Sequence, residues 1–167
     1  IQRRISRRIA LSMQGGINEY LDYLKVNKTE LDVLYQDLLI PVTSFFRDPA
    51  TFGQLKEKVF PLLFKSKPEK ETIRFWIAGW STGEEAYSLV ISLHEFMHDH
   101  ELSNTIQVFA TDISEIAIAK ARSGKYKKND TEGVSAEQLQ KYFTKINGSF
   151  QVNKNIRDTC IFAFHNY

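Results

Sequence analysis

The chain has 167 residues, 43% apolar and 25% charged, enough to bury one core or a small domain and part of a second. Its 22 Lys and Arg against 20 Asp and Glu leave a net charge of +2, which argues against nucleic acid or an anionic membrane as the partner. The single cysteine, Cys160, excludes an intrachain disulfide, and no charge-free apolar run approaches the roughly 18 residues that span a bilayer, so a cytoplasmic protein without membrane insertion is expected.

Residues 1–40 carry a helical apolar period: Ile5, Ile9 and Met13 recur four apart, and Tyr20, Leu21, Leu24, Leu31, Leu34 and Leu38 continue it. Gly15 and Gly16 punctuate this stretch, residues 27–29 separate the second helix from the third with Thr29 as the expected N-cap, and Pro41 ends the third. Asp48-Pro49 then opens a helix running to about Leu63, with a carboxylate at the cap and proline at the first helical position. After a polar linker around Pro68 the pattern changes. Ile73 to Ile77 reads as a strand, the turn Gly79-Trp80-Ser81-Thr82-Gly83 follows, and a helix runs from Glu84 to about His98. Ile106 to Ala110 is a second strand ending at Asp112, and a helix from Ser114 closes at Gly124. Residues 125–150 read as a polar stretch with a helix from about Ser135 to Phe143, and residues 160–164 as a third strand. Strand, glycine turn, helix, strand and acidic residue are the order of a parallel α/β sheet that gathers ligands at the carboxyl ends of its strands.

Two features of that order suggest a nucleoside-bearing ligand. Gly79 and Gly83 let backbone approach a ligand where the next helix offers unpaired N–H groups, although a structural turn alone also satisfies the spacing. Asp112 stands where such folds bind ribose hydroxyls, or else it caps the helix that follows. On the first helix Arg3, Arg4, Arg7 and Arg8 project over an arc of about 140° at 100° per residue, with no acidic residue before Glu19. That face suits an acidic partner surface, or it is simply solvated. His94-Glu95-Phe96-Met97-His98 matches the zinc-protease pattern H-E-x-x-H, but it lies at the far end of its helix, away from the strand termini, and no metal site is expected there.

Thr43-Ser44-Phe45-Phe46-Arg47-Asp48-Pro49, Ala78-Gly79-Trp80-Ser81-Thr82-Gly83-Glu84-Glu85-Ala86-Tyr87-Ser88, Ala110-Thr111-Asp112-Ile113-Ser114 and Ala119-Lys120-Ala121-Arg122-Ser123-Gly124-Lys125-Tyr126 together resemble, in order, the signatures of the CheR-type chemotaxis receptor glutamate methyltransferases. Ile156-Arg157-Asp158 and the closing Phe164-His165-Asn166-Tyr167 are similar to the members often fused to methylesterase and sensor domains. The resemblance implies S-adenosylmethionine as cofactor, S-adenosylhomocysteine as product, and the cytoplasmic helices of a chemoreceptor as partner. It implies cofactor contacts from Thr43, Arg47, Gly79, Glu85, Asp112, Asn166 and Tyr167, with Arg47 as the catalytic orienting residue and Asp112 on the ribose. It also implies that Arg3, Arg4, Arg7 and Arg8 dock on the receptor. Trp80 stands at a turn position usually small in the family, and Pro41 where some members have asparagine.

The expected fold is therefore α/β: an all-helical N-terminal subdomain with its linker helix over residues 1–66, then a truncated Rossmann-like methyltransferase domain over residues 67–167. Such a sheet needs further strands, so the chain reads as the front portion of a longer enzyme, with an exposed sheet edge open to self-association. The alternative function is a non-catalytic module that binds cofactor or receptor.

Overall fold

The computed structural model describes residues 1–38 and 43–165. The expectations for Pro41, Asn166 and Tyr167 lie outside these described residues. The chain divides into two compact units, residues 1–41 and 42–167.

The first unit contains α1 (Gln2–Leu11), α2 (Ile17–Val26) and α3 (Lys28–Leu38). Its centre is polar. The Glu30 carboxylate, on α3, accepts hydrogen bonds from Arg8 Nε (2.9 Å), the Tyr20 hydroxyl (2.8 Å) and the Ser12 hydroxyl (3.0 Å), while Tyr20 and Leu34 are buried around it. The cap of α3 is Asn27, not Thr29: its side-chain oxygen accepts the Glu30 N–H at 3.0 Å, and a single residue suffices to break the helix.

In the second unit α4 (Pro49–Gln54) continues through a π-helical turn, Leu55–Val59, into α5 (Phe60–Lys65). Pro61 has no N–H and its ring crowds the preceding turn, and the wider π turn accommodates it. Phe60 and Phe64 pack against Phe96 of the sheet-covering helix, so this helix belongs to the same compact unit as the sheet. The division at residue 41 thus differs from a boundary at residue 66, because aromatic burial outweighs the polar linker.

β1 (Thr72–Ala78), β2 (Thr105–Asp112) and β6 (Cys160–Phe164) form a parallel sheet in the order β1-β2-β6, with Ile77 opposite Ala110 and Ala110 opposite Phe162. The crossover helix α6 (Glu84–Asp99) buries Ala86, Val90, Ile91, Leu93 and Phe96, and α7 (Glu115–Ser123) follows β2. Ser114 caps α7 by accepting the Ala117 N–H, and Gly124 ends it in the left-handed conformation. These placements agree with the Rossmann-like expectation.

Residues 125–152 depart from it. β3 (Lys125–Lys127), β4 (Phe143–Ile146) and β5 (Ser149–Val152) make a separate antiparallel sheet in the order β3-β5-β4. Asn147 and Gly148, both at positive φ (47° and 77°), turn β4 into β5, as a two-residue hairpin requires. Between β3 and β4 lie a short 3-10 turn and α8 (Ala136–Tyr142), and α9 (Lys154–Asp158) leads into β6. No helix among the described residues is long and apolar enough to cross a membrane.

Glu30 sets a pH dependence for the helical unit. Hydrogen bonding from Arg8, which outweighs the opposing effect of burial, holds the Glu30 pKa below its ordinary value. Its stabilising contribution is complete above that ordinary value and is lost as pH falls through the lowered one. Glu30→Gln should therefore weaken amide protection in α2 and α3 at pH 7 by about 1.5–3 kcal/mol. The deficit should shrink in acid, as hydrogen exchange at pH 7 and below pH 4 would show.

Candidate functional site

The site is built from two peptides held to the sheet. In the first, residues 43–48, Phe45 is buried, with its ring edge-on to Tyr126 (4.9 Å) and Phe143 (5.4 Å). Phe46 adopts φ +48° and donates its N–H to the Ser88 hydroxyl at 3.0 Å, which turns the chain so that Arg47 is exposed. Asp48 accepts the Thr51 N–H (3.4 Å) and hydroxyl (2.6 Å), and those bonds, the hydroxyl's first, hold its carboxyl below the usual range. The anchors fix where Arg47 leaves the backbone.

The second peptide is the glycine turn between β1 and α6. Gly79, Ser81 and Gly83 take left-handed φ values of +68°, +59° and +98°. Gly79 donates its N–H to the Thr111 carbonyl, and a Cβ placed on it would meet nothing within 4 Å. At Gly83 an added Cβ would lie 2.8 Å from Ala121 Cβ and 2.9 Å from the Tyr126 hydroxyl, so this glycine is dictated by packing as well as by φ. Trp80 turns inward against Phe162 (4.5 Å between rings) and is buried, leaving the open side of the turn to its neighbours.

Asp112 joins the two strand ends. One of its carboxylate oxygens accepts the Ser81 N–H at 2.8 Å and the other the Ser114 N–H at 2.9 Å. Both bonds are to backbone, so each oxygen keeps a lone pair for a further donor such as a ribose hydroxyl. The helix after it is capped by Ser114 itself.

Arg47 and Glu85 meet in one cavity of about 410 Å³, with Asp48, Phe52, Ile77 and Leu89 also in its walls. Its neighbour in the sequence, Glu84, is buried, accepts the Thr82 hydroxyl at 2.6 Å and faces Lys120 at 3.7 Å. The pair of glutamates is thereby divided into one that braces the turn and one that faces the cavity. Thr43 is half-buried and outside the cavity's lining. Ser44 and Thr51, not singled out in the sequence, do line it, and Ser88 and Phe45 are the anchors that reading missed.

Several of the remaining candidates have structural partners. Arg8 is committed to Glu30, and Arg4 donates to the Asp37 carbonyl, whereas Arg3 and Arg7 are exposed. Glu95 of the H-E-x-x-H segment is held by Lys56 and Gln138, and burial lowers the pKa of His94. Among the described residues no group of three His, Cys, Asp or Glu could hold a metal. Burial pushes the Cys160 thiol up to about 12, which removes the thiolate needed for nucleophilic chemistry.

A family model described as CheR methyltransferase, SAM binding domain, matches residues 41–167. The chain belongs to the CheR methyltransferase family. Its cofactor is S-adenosylmethionine, and the site has features that fit it: an open approach at Gly79, spare acceptor capacity on Asp112, and opposite charges on Arg47 and Glu85 in one cavity. This CheR domain is similar to chemotaxis protein methyltransferase 1 of Pseudomonas aeruginosa, at 36% identity over 91% of the chain and 58% of that protein. It is also similar to chemotaxis protein methyltransferase 2 of Vibrio cholerae, at 30% identity over 98% of the chain and 57% of that protein. An uncharacterized 104.1 kDa protein of Rhodobacter capsulatus is 37% identical over 99% of the chain, which spans 17% of its length. The chain thus covers less than two thirds of each of these curated relatives.

The two glycines of the turn separate packing from ligand approach. Gly79→Ala should cost only about 1–2 kcal/mol for its left-handed backbone, leaving the fold intact but obstructing the ligand side. Gly83→Ala should bear that strain plus overpacking of a further 1–3 kcal/mol or so. Thermal unfolding measured beside S-adenosylhomocysteine titration should show affinity lost in the first variant and stability in the second.

Proposed function

We propose that this chain is the cofactor-binding front part of a cytoplasmic protein-glutamate O-methyltransferase, which esterifies glutamate side chains on the cytoplasmic helices of chemoreceptors. The observation that carries the reading is the shared cavity of Arg47 and Glu85, which Gly79 and Asp112 do not line, together with the glycine turn that Asp112 anchors at the strand ends. The names of the Pseudomonas aeruginosa and Vibrio cholerae relatives support the chemotactic setting.

The cofactor supplies an electrophilic methyl group on a sulfonium. A substrate glutamate has a pKa near about 4.3 and is ionised at neutral pH, so no general base is required to make it a nucleophile. What the protein must contribute is alignment and exclusion of water. In this reading Asp112 accepts the ribose hydroxyls, and Glu85 faces the ammonium of the cofactor's amino-acid portion. Thr43 flanks the cofactor, and Gly79 allows its close approach. Arg47, permanently charged and able to form a two-pronged hydrogen bond, orients a carboxylate. The exposed Arg3 and Arg7 offer the first helix's charge to an acidic receptor surface, with Arg4 and Arg8 shaping that face from within the helical unit. Self-association would run along an edge of the parallel sheet, β1 or β6, each of which pairs only with β2 among the described residues.

Calorimetric titration with S-adenosylhomocysteine should show binding that Asp112→Ala abolishes. In the full-length protein, Arg47→Lys should reduce transfer of labelled methyl groups to receptor by about tenfold, because a lysine cannot form the fork. Binding with no transfer by the full-length protein would instead identify a non-catalytic cofactor module.

A further inference from the structure

Tyr126 lies in β3 of the small antiparallel sheet, outside both peptides of the cofactor site, yet it touches each of them. Its hydroxyl donates to the Thr82 carbonyl in the glycine turn at 2.7 Å. The same hydroxyl, together with Ala121, fills the room that a Cβ on Gly83 would need. Its ring meets Phe45, the anchor of the Arg47 peptide, edge-on at 4.9 Å. The Lys120 ammonium sits 5.3 Å from the ring centroid while also facing Glu84 in the first turn of α6. The residue is 1% exposed, and burial pushes its phenol well above the ordinary value, so at any physiological pH it is a hydrogen-bond donor.

We propose that Tyr126 is a positioning residue for the cofactor site, its hydroxyl and ring fixing the glycine turn and the Arg47 peptide relative to one another. The inference rests on the cofactor-binding reading of the turn. The bond from Tyr126 ties the Thr82 carbonyl to the small sheet. Tyr87 makes a parallel use of its hydroxyl, donating to the Ala121 carbonyl at 2.7 Å, but that bond joins α6 to α7 and not to the turn. The distinction makes Tyr126 specific to the site.

Tyr126→Phe removes the hydroxyl and keeps the ring. In the unliganded chain it should accelerate hydrogen exchange at the Ser81 and Gly83 amides, whose acceptors are Asp112 and the Trp80 carbonyl, while leaving Val108 in central β2 unchanged. Its affinity for S-adenosylhomocysteine should fall by about fivefold to tenfold, the equivalent of one buried hydrogen bond. Val152→Ala, which hollows the same small sheet without touching the hydroxyl, serves as the comparison. Unchanged exchange in the turn, or an equal loss of affinity in Val152→Ala, would overturn the proposal. Failure of the unsubstituted chain to bind S-adenosylhomocysteine would count against the cofactor reading of this chain, and the exchange comparison would still decide the role of Tyr126.

Discussion

Two backbone N–H groups, of Ser81 and Ser114, converge on the carboxylate of Asp112. They belong to the loops that leave β1 and β2, so one side chain sets the relative position of two chain segments separated by a whole crossover helix. A turn that places three residues at positive φ has few intrinsic reasons to hold one shape, and Ser81, which is not glycine, pays a steric cost there. The charged acceptor offsets that cost with a bond stronger than one between neutral groups. Because the carboxylate is buried among these amides, its own orientation is fixed as well, which is the property a ligand-binding acid requires.

The second constraint is aromatic. The Thr43 to Asp48 segment has no regular secondary structure before its helix starts, and it is held by Phe45 in the core and by the Ser88 hydroxyl at the Phe46 N–H. Gly133 completes the clamp, since a Cβ there would fall 2.0 Å from the Phe45 carbonyl oxygen. In this arrangement apolar burial supplies the positional accuracy and the adjacent charged residue uses it.

Features encoded over a few residues were legible in the sequence. The Asp48-Pro49 start, the Ser114 cap and the Gly124 stop each depend on one local hydrogen bond or one backbone conformation, and all three occur as the residue types require. The choice of Asn27 over Thr29 was not legible, because both can cap and only the packing of Glu30 around Arg8 favours one of them. The small antiparallel sheet was hidden by its short, half-polar strands of three and four residues, although Asn147-Gly148 carried the signal of a hairpin. At the site, Gly79 lies in the turn after β1, Glu85 in the first turn of α6 and Asp112 at the end of β2, and the division of labour between Glu84 and Glu85 follows from helix phase. Glu85 shares a face with Leu89, and both line the cavity, whereas Glu84 lies one position round toward Ser88 and the core. The pairing of Arg8 with a carboxylate 22 residues away had no local trace at all.

The two tryptophans sit four residues apart and live in opposite environments. Trp76 is 65% exposed on the side of β1 away from α6, whereas Trp80 is 1% exposed and lies against Phe162. Their indoles therefore form a natural pair of optical reporters within one strand and its turn: a red-shifted, collisionally quenchable emitter on the open side of the sheet, and a blue-shifted, shielded one beneath the cofactor turn.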